Sequence, residues 1–127
     1  MADEERLVLS AREGAVCTLT LNRSDAGGAI HTTLGMATLR NTIVTGNTNA
    51  AGSAINDING AINASSTSNL ITASGVLLAS LGNYGGPTQT HALLPGSTAI
   101  NAGTATNAPA TDQRGIARPQ QGTTDIG

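Results

Sequence analysis

Few side chains in this sequence can move a proton or hold a metal ion near neutral pH. There are two histidines, His31 and His91, and one cysteine, Cys17. Of the eight carboxylates, only Asp57, Asp112 and Asp125 stand after residue 26. Imidazole alone titrates near neutrality without perturbation. His91 and His31 are therefore the candidates for a general acid or base, with Asp112 and Asp125 next. His31, His91 and Asp125, joined by Asp25, Asp57 or Asp112, would also suit a divalent Zn or Mn ion. Such a site needs about three N or O ligands and an open position, and it would support metal-assisted hydrolysis of a phosphoester or other activated ester. Their spacing shows no HxH, HxxxH or HExxH pattern, so only a fold that brings distant residues into register would assemble them. Arg114 and Arg118, in "TDQRGIARP", are the candidates for anion binding. The same groups also have structural readings: an Asp112–Arg114 pair or an arginine clamp on the terminal loop, His91 bonded to neighbouring backbone, and Tyr84 as packing.

Other chemistries find less support. Cys17 lies mid-strand in "AVCTLTL" and reads as a small buried apolar side chain rather than a nucleophile. As the only cysteine it excludes an internal disulfide and a cysteine-only metal cluster. "SSTS" (65–68) has no nucleophile-elbow context, and "GNYGG" does not precede a helical pattern, so no phosphate-binding loop is present. No cofactor is required by any motif. The near-neutral charge and the lack of a basic patch argue against nucleic acid as a partner. No apolar run approaches the roughly 20 residues of a membrane helix, and "MADEER" does not read as a secretory signal. The chain as written is expected in the cytoplasm.

The elements that must position these residues are unusual. The sequence has no Phe, no Trp and no Lys, sixteen Gly, and much Thr and Asn. Its apolar side chains are Ala, Ile, Leu and Val. Such a chain must bury small side chains in thin layers, which short strands do better than helices. Charge is concentrated at the start: eight of the fourteen charged residues fall in residues 1–25. This break divides the chain into an N-terminal β-hairpin, 1–26, and a body, 27–127. In the hairpin, "RLVLSA" and "AVCTLTL" flank a turn at "REG". In the body, "GGAIHTT", "MATLRNTIVTGNT", "GSAINDINGAINASS" and "NLITASGVLL" are short β-prone runs punctuated by Asn and Gly. This rhythm predicts an all-β solenoid whose coils bury side chains against their neighbours. Ile30, Leu39, Ile43, Ile55, Ile62 and Ile71 are the expected inner stack, and Asn41, Asn47, Asn59 and Asn69 the expected side-chain amide ladders at the corners. A plain β-sandwich is the competing reading.

Two resemblances add to this. "EERLVLSAREGAVCTLTLNRSD" resembles the N-terminal hairpin of the crotonase (enoyl-CoA hydratase) family, with Asn22-Arg23-Ser24 where that family usually has "NRP". The likeness ends by about Ala26, and nothing downstream matches the family's catalytic segments. "TLRNTIVTGNT", "LGNYGGPTQTHALLPGSTAINAG" and "PATDQRGIARPQQGTTDIG", in that order, resemble the C-terminal end of bacterial right-handed parallel β-helix proteins of the choice-of-anchor Q or polymorphic-outer-membrane-protein-like kind. That likeness covers roughly residues 27–127, and the join suggests a chimeric or recombined chain. It implies a short right-handed parallel β-helix from about Gly27 to Ala102, with an irregular C-terminal tail laid along it. It also implies parents that are secreted or at the cell surface and mostly without a defined reaction.

Two functional readings follow. One is a non-catalytic scaffold derived from a surface, adhesin-like protein. The other is a small metal-assisted hydrolase on the same frame. Either way the chain is expected to associate with itself, as a homodimer or a trimer, through the hairpin or the Leu77–Leu81 region. A short solenoid leaves an apolar coil end and open strand edges exposed.

Overall fold

The computed structural model describes residues 29–32, 34–47, 57–120 and 122–127. The expected hairpin of residues 1–26, with Cys17 and Asp25, lies outside them, as does Ile55. The named strands are two residues long: β1 (Ile30–His31), β2 (Ile43–Val44), β3 (Ile58–Asn59) and β4 (Leu70–Ile71). β1 pairs in parallel with β3, Ile30 opposite Ile58, and β2 with β4, Ile43 opposite Leu70. Parallel bridges at Ala37–Ile62 and Arg40–Thr67 fill the interval. Segment 30–44 therefore runs alongside segment 58–71, with β-branched residues facing each other at Ile30–Ile58 and Val44–Ile71.

The corners between these short pairs are closed by side chains. Ser66 Oγ accepts from Leu39 N at 3.0 Å. Asn69 accepts from Thr42 N at 3.0 Å through Oδ1 and donates from Nδ2 to Leu39 O at 3.0 Å. Asn41 stands in the left-handed region at φ 49°. Its Nδ2 donates to Thr104 O and its Oδ1 accepts from Thr104 N, both at 2.8 Å. Asn47 donates through N and Nδ2 to Oδ1 of the buried Asp57, each at 2.9 Å. The expected Asn–Asn ladders are thus corrected: these amides bond backbone and a carboxylate. An amide carries the same donor and acceptor as a peptide group and continues the pairing where the backbone bends away.

The expected β-helix is overturned. Among the described residues there are two two-stranded parallel sheets and no closed or solenoid structure. Among the described residues neither β3 nor β4 has a further parallel partner, and pairing after Thr72 turns antiparallel. Leu78 bridges Leu93 and Gly82 bridges Thr90, so residues 77–94 fold back on themselves. The turn at "NYGGPTQ" has Gly85 at φ 94° and favours this local reversal over a further coil. The tail, expected to be irregular, contains one antiparallel bridge, Thr111–Ala117. It docks on the body through Gly103 N to Thr124 O at 2.7 Å, Ile126 N to Ala99 O at 2.9 Å and Gly127 N to Asn41 O at 3.1 Å.

The expected inner stack is corrected as well. Ile30, Leu39, Ile43, Ile62 and Ile71 are only half-buried. The buried apolar side chains among the described residues are Ala29, Val44, Ala99 and Ile126, beside the buried polar Ser97 and Thr124. So thin a core places much of the cohesion on directional bonds.

Two substitutions test this. Asn41→Asp keeps a residue that tolerates the left-handed conformation but removes the donor to Thr104 O and sets two acceptors face to face. Chemical denaturation is expected to show a loss of about 1–3 kcal/mol. Gly60 stands at φ 125°, and a Cβ there would lie 2.3 Å from Thr32 O. Gly60→Ala should cost at least as much, because strain adds to the clash. A Gly60→Ala variant with unchanged stability would contradict the β1–β3 register.

Candidate functional site

A cavity of about 910 Å³ lies between β2 with its flanks, the antiparallel hairpin formed by residues 77–94, and the tail. Residues 40–45 form one wall. Leu78 and Thr90–Leu93 form a second, and residues 112–114 and 117–120 with Asp125 and Gly127 a third. His91, Asp112, Arg114, Arg118 and Asp125, singled out from the sequence, all line it. His31 does not: it is exposed in β1, opposite Asn59. Asp57 is buried below β3 and is not on the cavity wall. Among the described residues no three His, Cys, Asp or Glu side chains converge in a group able to hold a metal ion. The fold therefore brings His91 and Asp125 to one cavity and leaves His31 apart.

Each acid or base on the wall has a backbone task. His91 Nδ1 lies 2.8 Å from Ala79 O. A carbonyl only accepts, so Nδ1 carries a proton and donates. Asp125 Oδ1 accepts from Asn101 N at 2.7 Å. Asn101 answers through Oδ1, which accepts from Thr123 N at 3.0 Å, and through its carbonyl, which accepts from Thr123 Oγ1 at 2.7 Å. "AINAG" and "TTDIG" are in this way locked together across the chain.

Asp112 organises the loop of "TDQRG". Oδ1 accepts from Arg114 N at 2.8 Å and Ile116 N at 2.9 Å. Oδ2 takes Arg114 Nε at 2.8 Å and Nη2 at 2.6 Å, a two-pronged ion pair. Partial burial alone would raise the Asp112 pKa. The bonds from Ile116 N and from the Arg114 side chain and backbone, with the Arg114 charge, outweigh it and hold the carboxyl below the usual range. The loop docks against the turn of the hairpin: Gln113 Nε2 donates to Thr88 Oγ1, and Gly86 lies so near that a Cβ would sit 3.0 Å from Arg114 Cα. Tyr84 does not reach the cavity; its hydroxyl donates to Ser80 O at 2.9 Å and its ring covers Gly82.

The other cations of the wall differ from Arg114. Arg118 Nη2 donates to Gly127 O at 2.9 Å. Arg40 was not singled out from the sequence. It lines the cavity, its Nε is buried without an acceptor, and no carboxylate among the described residues pairs with it. The signal lay in "TLRNTIV", where one arginine interrupts a β-prone run with no acid nearby. No protein-family model matches the chain, and neither a curated protein nor a solved structure matches it. Among the described residues no helix is long and apolar enough to cross a membrane.

The lowered Asp112 pKa fixes the sign of a pH effect. Its stabilisation is present above the unfolded carboxylate value of about 4 and is lost as pH falls through the lowered folded value. Asp112→Asn should be less stable than the parent at neutral pH, and the gap should narrow below about pH 4. Urea unfolding of both chains across that range checks it; a gap that widens in acid would reverse the assignment.

Proposed function

We propose that the chain is a non-catalytic scaffold module of a surface or secreted, adhesin-like protein. The observation that carries this reading is the employment of the wall's acid and base groups. His91 holds Ala79 O, Asp125 holds Asn101 N, and Asp112 holds Arg114 and two backbone amides. The Nδ1 bond orients the His91 ring and leaves Nε2 open, so the weight of this reading falls on the two carboxylates, Asp112 and Asp125, which are committed to backbone amides and to Arg114. The order of "AINAG", "TDQRG" and "TTDIG", which resembles the C-terminal end of surface proteins, supports the same reading. The metal-assisted hydrolase is the competing activity, and His91 and Asp125 on one cavity are what favour it. An assay panel of p-nitrophenyl phosphate and acetate, with Zn or Mn and with a chelator, separates the two. The scaffold reading expects rates equal to buffer in every arm. Chelator-sensitive turnover lost in His91→Ala would overturn it.

Self-association belongs to the same proposal. Leu78 and Leu93 line the cavity, and strand alternation turns Leu77 and Leu94 the other way. These two stay 45% and 42% exposed, and Leu81 57%. An apolar hairpin face of this kind supports a two-fold homodimer, with a trimer as the runner-up. Light scattering behind a sizing column should give twice the mass of the 12.6 kDa chain, and Leu81→Glu should shift it to the monomer. A monomeric parent chain at micromolar concentration would defeat the proposal.

A further inference from the structure

We propose that the cavity binds a monoanionic organic carboxylate with a short aliphatic body, read by Arg40 and Arg118. The charge on the wall comes from three arginines, Arg40, Arg114 and Arg118, set against Asp112 and Asp125. Arg114 is neutralised within its own loop by Asp112 at 2.6 Å. Asp125 is turned to Asn101 N. What remains for a ligand is the Arg118 guanidinium, one nitrogen of which is held by Gly127 O, and Arg40, whose Nε is buried with no acceptor. A guanidinium nitrogen buried without an acceptor is costly, and an anion entering the cavity offsets that cost. The planar guanidinium fork matches a carboxylate in particular.

The rest of the wall selects the body of the ligand. Ile43, Val44, Leu78, Leu93 and Ile100 give aliphatic surface, and no Phe, Tyr or Trp is among the described residues that line the cavity, the imidazole of His91 being the aromatic ring on that wall. A polyanion would meet Asp112 and Asp125 on the same wall, whereas a single carboxylate needs one guanidinium fork. The volume of about 910 Å³ falls within the ordinary range for small-molecule sites.

The inference deepens the scaffold reading and rests on it. Hexanoate has no bond for a hydrolase to cleave, so failure to bind removes the ligand assignment alone, while turnover in the ester panel removes the scaffold reading. Isothermal titration of the full chain with hexanoate, 1-hexanol and inorganic phosphate tests it. Saturable hexanoate binding is expected, tenfold or more tighter than 1-hexanol, with phosphate weaker than hexanoate. Arg40→Gln should weaken hexanoate about tenfold and leave 1-hexanol unchanged, and Arg40→Lys should fall between, because it keeps the charge and loses the fork. Circular dichroism checks each variant. If Arg40→Gln does not fold, Arg118→Gln and the hexanoate-to-hexanol ratio of the parent chain decide in its place. Absence of saturable hexanoate binding, equal affinity for 1-hexanol, tighter phosphate binding, or a folded Arg40→Gln with undiminished affinity would each overturn the proposal.

Discussion

Asn41 ties three distant stretches of this chain together. Its backbone N donates to Thr67 O at 3.3 Å and its carbonyl accepts from Gly127 N at 3.1 Å. Its side chain, meanwhile, completes a reciprocal pair with the backbone of Thr104. At φ 49° the backbone turns out of the strand direction, and the amide side chain takes over the donor and acceptor that a strand would have supplied. Asparagine is among the few non-glycine residues that adopt this conformation readily. An alanine or leucine here would meet both the strain and the unpaired Thr104 backbone. The cavity inherits its shape from this knot, since Asn41, Thr42 and Gly127 are all part of its wall.

The dependence on one amide follows from composition. Without Phe or Trp, and with Ala, Val and Ile as the buried apolar groups among the described residues, this part of the chain has little hydrophobic area to sacrifice to poor hydrogen bonding. Directional bonds therefore decide which segments meet, each worth about 1 kcal/mol net but more when a buried partner would be left alone. Such bonds demand close backbone approach. Gly103 shows the consequence: a Cβ there would lie 2.6 Å from Asp125 O, so the contact between "AINAG" and "TTDIG" exists only with glycine. The same economy explains why His91, Asp112 and Asp125 are engaged with backbone. In a chain with few polar groups beyond Thr, Asn and Ser, the ionisable ones are drawn into structure.

Legibility in the sequence follows the range of the interaction. The Asp112–Arg114 pair was readable because the two residues stand two apart in one loop and need no fold to meet. The short parallel-prone runs around Ile30, Ile43, Ile58 and Leu70 were readable as strand material from their β-branched content. The direction of pairing after Thr72 was not. "NLITASGVLL" and "THALL" carry the same composition whether stacked in parallel or folded back, and the choice is made by the turn geometry between them. The side-chain amides were recognised as corner residues, but their partners were not. Asn41 meets Thr104 across 63 residues, and no local pattern marks that pairing.

Range also separates the cations of the cavity. Arg114 has its carboxylate in the same loop, so it is neutralised wherever that loop goes. Arg40 has none within its own segment. The described acid nearest to it in sequence, Asp57, turns Oδ1 to Asn47. A non-local partner would have had to be delivered by the fold. Asp125, on the same cavity wall, accepts from Asn101 N and holds the tail. Among the described residues no carboxylate pairs with Arg40, and the two carboxylates on the cavity wall, Asp112 and Asp125, are engaged in holding the loop and the tail that form it.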